Sequence, residues 1–375
     1  MLNIRDLVFR FCALFMTGKS LIAADWPMHR GDPQLQGRSS EAAPAEAVLR
    51  WVFKAGAAVK GGAAVVGERV FFGDDAGTVH CVGLGDGKEV WAFKTESSME
   101  ATPLVLGGLC YAGASNGMLY ALDVATGAER WRHETGDKIL AGANWAKDPV
   151  SGAVWVLVGS YDFSLYALDA ATGKEAWKVE TENFINGTPA ITSEGFAVFG
   201  GCDSLLHVVS LKERKEVRKV EAESYIPGSA ATDGHFAYLG NEAKKVFAFD
   251  LATGATLWTY RDRSFGYYSS PALDAEVLLI GGRDKRLHCI DRVKGEARWT
   301  FATRGDVDSS PVLCSDGGVI FGSHDGRLYC VNLADGKERW NYEVGSPITG
   351  SPAVASGAVV IGAEDGSVYC FGEKK

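Results

Sequence analysis

Four cysteines, Cys81, Cys289, Cys330 and Cys370, each follow a Tyr or His by one residue. Recurring thiols of this kind could gather around a zinc ion. The same slot elsewhere holds Ala121, Ala167, Val208 and Ala248, so the position asks for a small buried side chain and the thiols read as core. His80, His207 and His288 offer ligands or bases, but they share their slot with Tyr120, Tyr166, Phe247, Tyr329 and Tyr369, which makes them packing aromatics. Gly113-Ala-Ser115-Asn-Gly117 matches the G-x-S-x-G nucleophile pattern. That motif works only between a strand and a helix, and here the flanking runs predict a hairpin. No HExxH, phosphate-loop or EF-hand pattern occurs.

What remains is a recurrence of carboxylates. Asp74, Asp75, Asp162, Asp203, Glu242, Asp284, Asp325, Glu364 and Asp365, with Asn116, follow glycine-ended apolar runs. Gathered in a ring they could bind a cation or a basic partner. Asp and Asn are equally the residues that tight turns require, and both readings stay open. Lys60, Glu100, Asn186, Tyr268, Asp308 and Thr349 stand just before the first run of a repeat, which up-and-down connections put on the same face, and of the candidates Lys60, Glu100, Tyr268, Asp308 and Arg304 answer to no turn. Together with Asp325 and Asp365 they form the candidate binding face; no residue is assigned to catalysis or to a metal.

The elements that position these residues follow from a repeat. Trp51, Trp91, Trp131, Trp177, Trp258, Trp299 and Trp340 stand 40, 40, 46, 81, 41 and 41 residues apart. The longest interval is two periods with one tryptophan missing, and Val217 is read as its replacement. A period near 41 residues marks a propeller or a solenoid. Within each period come four short runs rich in β-branched and aromatic residues, separated by Gly, Asp, Asn and Ser. In the seventh they are Ser309-Ser-Pro-Val-Leu, Gly318-Val-Ile-Phe-Gly322, Asp325-Gly-Arg-Leu-Tyr-Cys-Val and Asp335-Gly-Lys-Glu-Arg-Trp340. Such runs are strands, so the fold class is all-β with four antiparallel strands per blade. After Trp340 three more runs occur without a tryptophan strand, while Val48-Leu-Arg-Trp51 is a tryptophan strand with no blade before it. The N-terminal strand therefore completes the last blade, closing an eight-bladed β-propeller and removing its open edge.

The domain layout follows: a signal peptide over 1–24, a leader over 25–47, and one propeller over 48–372. A positive start, the apolar run Phe11–Thr17 and small residues before Asp25 outline the signal, which predicts a periplasmic or secreted protein. No segment is long and apolar enough to span a bilayer as a helix. The formal net charge of −9 argues against a nucleic-acid partner. Seven cysteines follow residue 24, an odd number that does not make a disulfide framework. The 46 glycines now mark blade periodicity, with Gly73, Gly113, Gly159, Gly200, Gly240, Gly281, Gly322 and Gly362 each ending a second strand. Five extra residues in blade three fit Lys147–Gly152, on the face opposite the binding candidates. Blade four replaces its Thr-Gly turn by the charged run Lys212–Lys219, and without its tryptophan it is expected to form the weakest seam.

Leu-Tyr-Ala-Leu-Asp-x-x-Thr-Gly-x-x-x-Trp occurs at Leu119–Trp131 and Leu165–Trp177, with a close copy at Val246–Trp258. This resembles the repeat of the pyrroloquinoline-quinone-type β-propellers, over nearly all of the chain after the leader. Asp25-Trp-Pro-Met-His-Arg-Gly31 also resembles a leader of secreted bacterial propellers. The resemblance implies that each tryptophan docks between neighbouring blades. It implies two kinds of function. Quinoprotein dehydrogenases hold pyrroloquinoline quinone (PQQ) and Ca²⁺ at the ring axis beside an Asp base and a Cys-Cys pair, and no such pair is present. Non-enzymatic platforms, such as the eight-bladed propeller of the bacterial outer-membrane β-barrel assembly machinery, bind proteins. The expectation is the second kind: a monomeric ring without cofactor, binding protein partners in the cell envelope. A PQQ- and Ca²⁺-linked oxidoreductase component is the alternative.

Overall fold

The structure, a computed structural model, describes residues 25–373; the expected signal peptide lies outside the described residues. Thirty-two strands form eight four-stranded antiparallel sheets. No helix occurs among the described residues, and none is long and apolar enough to cross a membrane. Blades one to seven span 64–94, 104–134, 144–180, 190–221, 231–260, 272–302 and 312–343. Blade eight joins Ala353–Ala355, Ala358–Gly362 and Ser367–Gly372 to Leu49–Lys54, with Trp51 opposite Cys370. The ring closes as the sequence predicts.

Short innermost strands of two to four residues line the channel. The second and third strands are almost wholly buried, because both of their faces pack on neighbouring blades. The glycine that ends each second strand is there for close approach. None of the eight has positive φ, but a Cβ at Gly322 would sit 2.2 Å from Ile348 Cγ2. Ile348 belongs to a ring of buried residues, including Met99, Ile139 and Ile185, that press on these glycines.

Each tryptophan docks across a seam as the resemblance implies. Trp131 lies over Gly173 of the next blade, where φ is +69° and a Cβ would come within 2.4 Å of the indole. The Nε1–H of Trp51, Trp91, Trp131, Trp258, Trp299 and Trp340 donates to a carbonyl across the seam, at 2.7–3.1 Å. Trp177 is the exception: its Nε1 has no partner, since the next blade carries the charged run in place of the usual turn.

The missing tryptophan needs a correction. Outermost strands carry a bulge, and register places Arg218, not Val217, opposite Val208, as Trp258 is opposite Ala248. Val217 is exposed. Arg218 lies against Gly254, and its Nη1 donates to the Leu251 carbonyl at 2.6 Å. The guanidinium thus makes the bond that an indole N–H makes elsewhere. Lys147–Gly152 forms the turn after the innermost strand of blade three, on the expected side.

Candidate binding cup at the open end of the channel

The leader occupies one end of the channel. Trp26 exchanges two backbone hydrogen bonds with Val65 of blade one, and Pro27 accepts from Val105 of blade two. Pro33 accepts from Ile191, Gln34 from Thr232, Gln36 from Leu273 and Gly37 from Leu313. Asn144 Nδ2 donates to Pro33, and Ser39 Oγ donates to Val354. The segment therefore circles past all eight blades and satisfies amides that the innermost edges would leave open. Its own Met28 and Leu35 are fully buried. Arg30 is buried as well and donates to the carbonyls of Pro271 and Pro311; burial lowers its pKa to about 9. Pro44 then accepts from Trp340 as the chain leaves the channel.

The other end is open. Lys60, Glu100, Leu140, Asn186, Pro227, Tyr268, Asp308 and Thr349 occupy one register position, just before the innermost strands. All but Asp308 line a single cavity of about 180 Å³. Two residues further along, Thr102, Thr188, Ser229, Ser270, Ser310 and Ser351 form its wall. These hydroxyls link blades: Ser229, Ser270, Ser310 and Ser351 each accept the backbone N–H of the preceding blade, at 2.9–3.2 Å. Each O–H remains available to donate inward. His29, from the leader, forms the floor, with Nε2 3.5 Å from Ser270 Oγ. Burial, and then Arg30 beside it, lower the His29 pKa to about 3, so the imidazole is neutral near pH 7.

Around the rim the candidates fall into two arcs. On one side Lys60 pairs with Asp75 at 2.6 Å, a bond that raises the lysine pKa; Ser98 Oγ stands 3.3 Å from Asp75 and 3.4 Å from Glu100. The other arc is aromatic and ordered. Tyr161 stacks on Phe184 and donates to Asn186 Oδ1 at 2.9 Å. Tyr225 and Tyr268 share a hydroxyl–hydroxyl hydrogen bond. The Arg283 guanidinium lies 3.4 Å above the Tyr268 ring and grips both oxygens of Asp308. Burial opposes the Arg283 charge, yet Asp308 raises its pKa overall.

Arg304, Asp325 and Asp365 are not brought to the cup. Arg304 is exposed, and its backbone amide caps Asp325. Asp325 and Asp365 accept from Tyr329 and Tyr369 at 2.8 Å and from the amides of Arg327 and Ser367. Burial and the Asp365 bond push Tyr369 to about 12. Asp162 serves Tyr166 and Asp203 serves His207 in the same way. The recurring carboxylates and the recurring aromatics are thus partners of one another. The described cysteines are all unpaired, with Cys81, Cys289, Cys330 and Cys370 buried in separate blades; burial pushes the Cys81 thiol up to about 11. Ser115 sits in a strand–turn–strand hairpin, which is no setting for a nucleophile.

His29, Tyr225, Arg283 and the hydroxyl wall escaped the sequence reading. The wall was detectable as a Ser or Thr recurring two residues after six of the eight rim positions, Gly62 and Gly142 taking the place in the other two. Tyr225 and Arg283 had no such signal, since each is peculiar to its own blade.

A closed eight-bladed ring, its channel stoppered at one end by the leader and open as a cup at the other, defines the chain as an eight-bladed β-propeller. The chain belongs to the family described as outer membrane protein assembly factor BamB, which matches residues 43–260, 242–326 and 283–375. A search of curated protein sequences finds no match. Among solved structures, BamB from Moraxella catarrhalis is 19% identical, with a TM-score of 0.72 over 87% of this chain and 98% of that one. Europium-containing methanol dehydrogenase is 13% identical, with a TM-score of 0.75 over 93% and 98%. Quinohemoprotein alcohol dehydrogenase from Comamonas testosteroni is 14% identical, with a TM-score of 0.76 over 94% and 81%. At these identities the likeness is one of fold.

Proposed function

We propose that this chain is a non-enzymatic binding platform of the bacterial cell envelope, periplasmic or secreted, that docks a protein partner on the open end of its channel and acts in outer-membrane protein assembly. The observation that carries this reading is the rim arc of Tyr225, Tyr268, Arg283 and Asp308. Its rings and guanidinium are held in place before any partner arrives, and rigid aromatic and Arg anchors are what protein interfaces use for affinity. The family membership supports the same reading. Further support comes from the cup's poor match to PQQ, a planar tricarboxylate. Lys60 is already paired with Asp75 and faces Glu100. The cavity of about 180 Å³ also lies below the ~300 Å³ where small-molecule sites usually begin.

A photo-reactive residue in place of Thr349, at the same rim register as Tyr268, tests the proposal in intact cells. It should cross-link to an envelope protein, whereas the same probe at the exposed Val293, in the turn between the third and fourth strands of blade six, should not. Dye reduction with alcohols or sugars after adding PQQ and Ca²⁺ to the purified chain would instead establish the oxidoreductase alternative.

A further inference from the structure

The aspartates three residues after the glycine that ends a second strand follow a rule that one of them breaks. Asp162, Asp203, Asp325 and Asp365 each accept the amide two residues on with one oxygen. The second oxygen of each meets the Tyr or His of the third strand. Asp284 instead gives Oδ1 to His288 Nε2 at 3.1 Å and makes no turn bond. Its Oδ2 is buried without any partner, in a side chain only 3% exposed. An unpartnered buried carboxylate oxygen is costly.

The surroundings show what would satisfy it. The crossing from blade five to blade six brings Asp262 to this point, so that ligand atoms of Asp262, Asp284 and His288 all lie within 4.8 Å of one another. Asp262 has only a loose ion pair, Arg263 Nε at 3.9 Å. The far nitrogen of His288, Nδ1, is 3.1 Å from the Tyr260 hydroxyl, which can accept as readily as it donates. With Nδ1–H donating to Tyr260, Nε2 turns its lone pair toward the carboxylates. A second-shell bond of this kind orients histidine ligands generally. His207 has no such freedom, because Asp203 and Glu216 hold both of its nitrogens.

We infer that Asp262, Asp284 and His288 form a divalent-cation site at the seam between blades five and six, with one nitrogen and two carboxylate ligands suited to Zn²⁺ or Mn²⁺. The site is separate from the cup, and its ion would staple the long crossing loop to blade six.

The test uses the purified chain after treatment with a chelator. Titration with Mn²⁺, followed by the resonance of the free ion, and with Zn²⁺ by calorimetry should give saturable binding of one ion per chain. Asp262→Asn, at an exposed loop position that leaves the fold intact, should weaken binding at least ~10-fold, and so should Asp284→Asn. Asp203→Asn, at the same register in blade four, should change nothing. Failure of both ions to bind saturably, or binding that survives Asp262→Asn, overturns the inference even if Asp284→Asn does not fold.

Discussion

The two ends of the channel solve opposite problems with the same eight innermost strands. At the stoppered end the leader meets them mostly through backbone hydrogen bonds and buries Trp26, Met28, Arg30 and Leu35. At the cupped end the chain leaves side chains from different blades facing a common space, tied to one another in pairs such as Lys60–Asp75 and Arg283–Asp308. Backbone pairing and apolar burial are indifferent to what a partner is. Paired charges and tyrosine hydroxyls at a rim are selective. Apolar burial is therefore concentrated at one end and polar side-chain pairs facing a common space at the other.

The largest expected effect comes from removing 25–47. Losing three large buried apolar side chains at ~2–5 kcal/mol each, together with the Pro44 partner of Trp340, should collapse the thermal transition or abolish soluble expression. A truncated chain that melts within a few degrees of the intact one would erase the contrast between the ends. At single residues, Met28→Ala should cost ~2–5 kcal/mol in denaturant unfolding. Tyr268→Ala should cost less than about 1 kcal/mol while abolishing the partner cross-link. Reversed magnitudes would mean that the cup is structural.

Between the ends, Arg218→Ala removes a charged donor from a buried carbonyl and should cost ~1.5–3 kcal/mol, less than the ~3–5 kcal/mol of Trp131→Ala. Hydrogen exchange should show the blade-four seams among the least protected. His29 joins the two ends and sharpens the comparison by pH. Its folded pKa of about 3 lies below the ordinary 6.5, so from pH 6.5 down toward 3 the unfolded chain binds the extra proton. Stability should fall with pH in that window by up to ~1.4 kcal/mol per unit, and His29→Gln should remove that share of the slope. The smallest effect belongs to Lys60→Met: its exposed pair with Asp75 should be worth ~0–1 kcal/mol and vanish in high salt.

The ring was legible because tryptophan spacing, turn glycines and strand-length apolar runs are local and repeat. The incomplete blade at each end even announced its closure. The same repetition misled at Val217, where a one-residue bulge moved the docking position to Arg218. Six of the rim candidates were found because they share the place just before a blade's first strand, and four of them answer to no turn. Asp325 and Asp365 were grouped with them because a turn aspartate looks the same in sequence whether it faces a channel or its own tyrosine, and Arg304 because no turn requires it.

By itself the sequence determined the all-β class, the blade count and the closing strand, since strand period and turn chemistry are set by near neighbours. Only the tertiary structure decided that Trp26–Ser39 stoppers the channel, that His29 floors the cup, and that Arg283 settles on Tyr268. It alone also decided that Asp284 keeps an oxygen free where its counterparts do not. Each of these joins residues from different blades. Which side chains meet across a closed ring depends on how the blades are packed around its axis, and no local pattern carries that information.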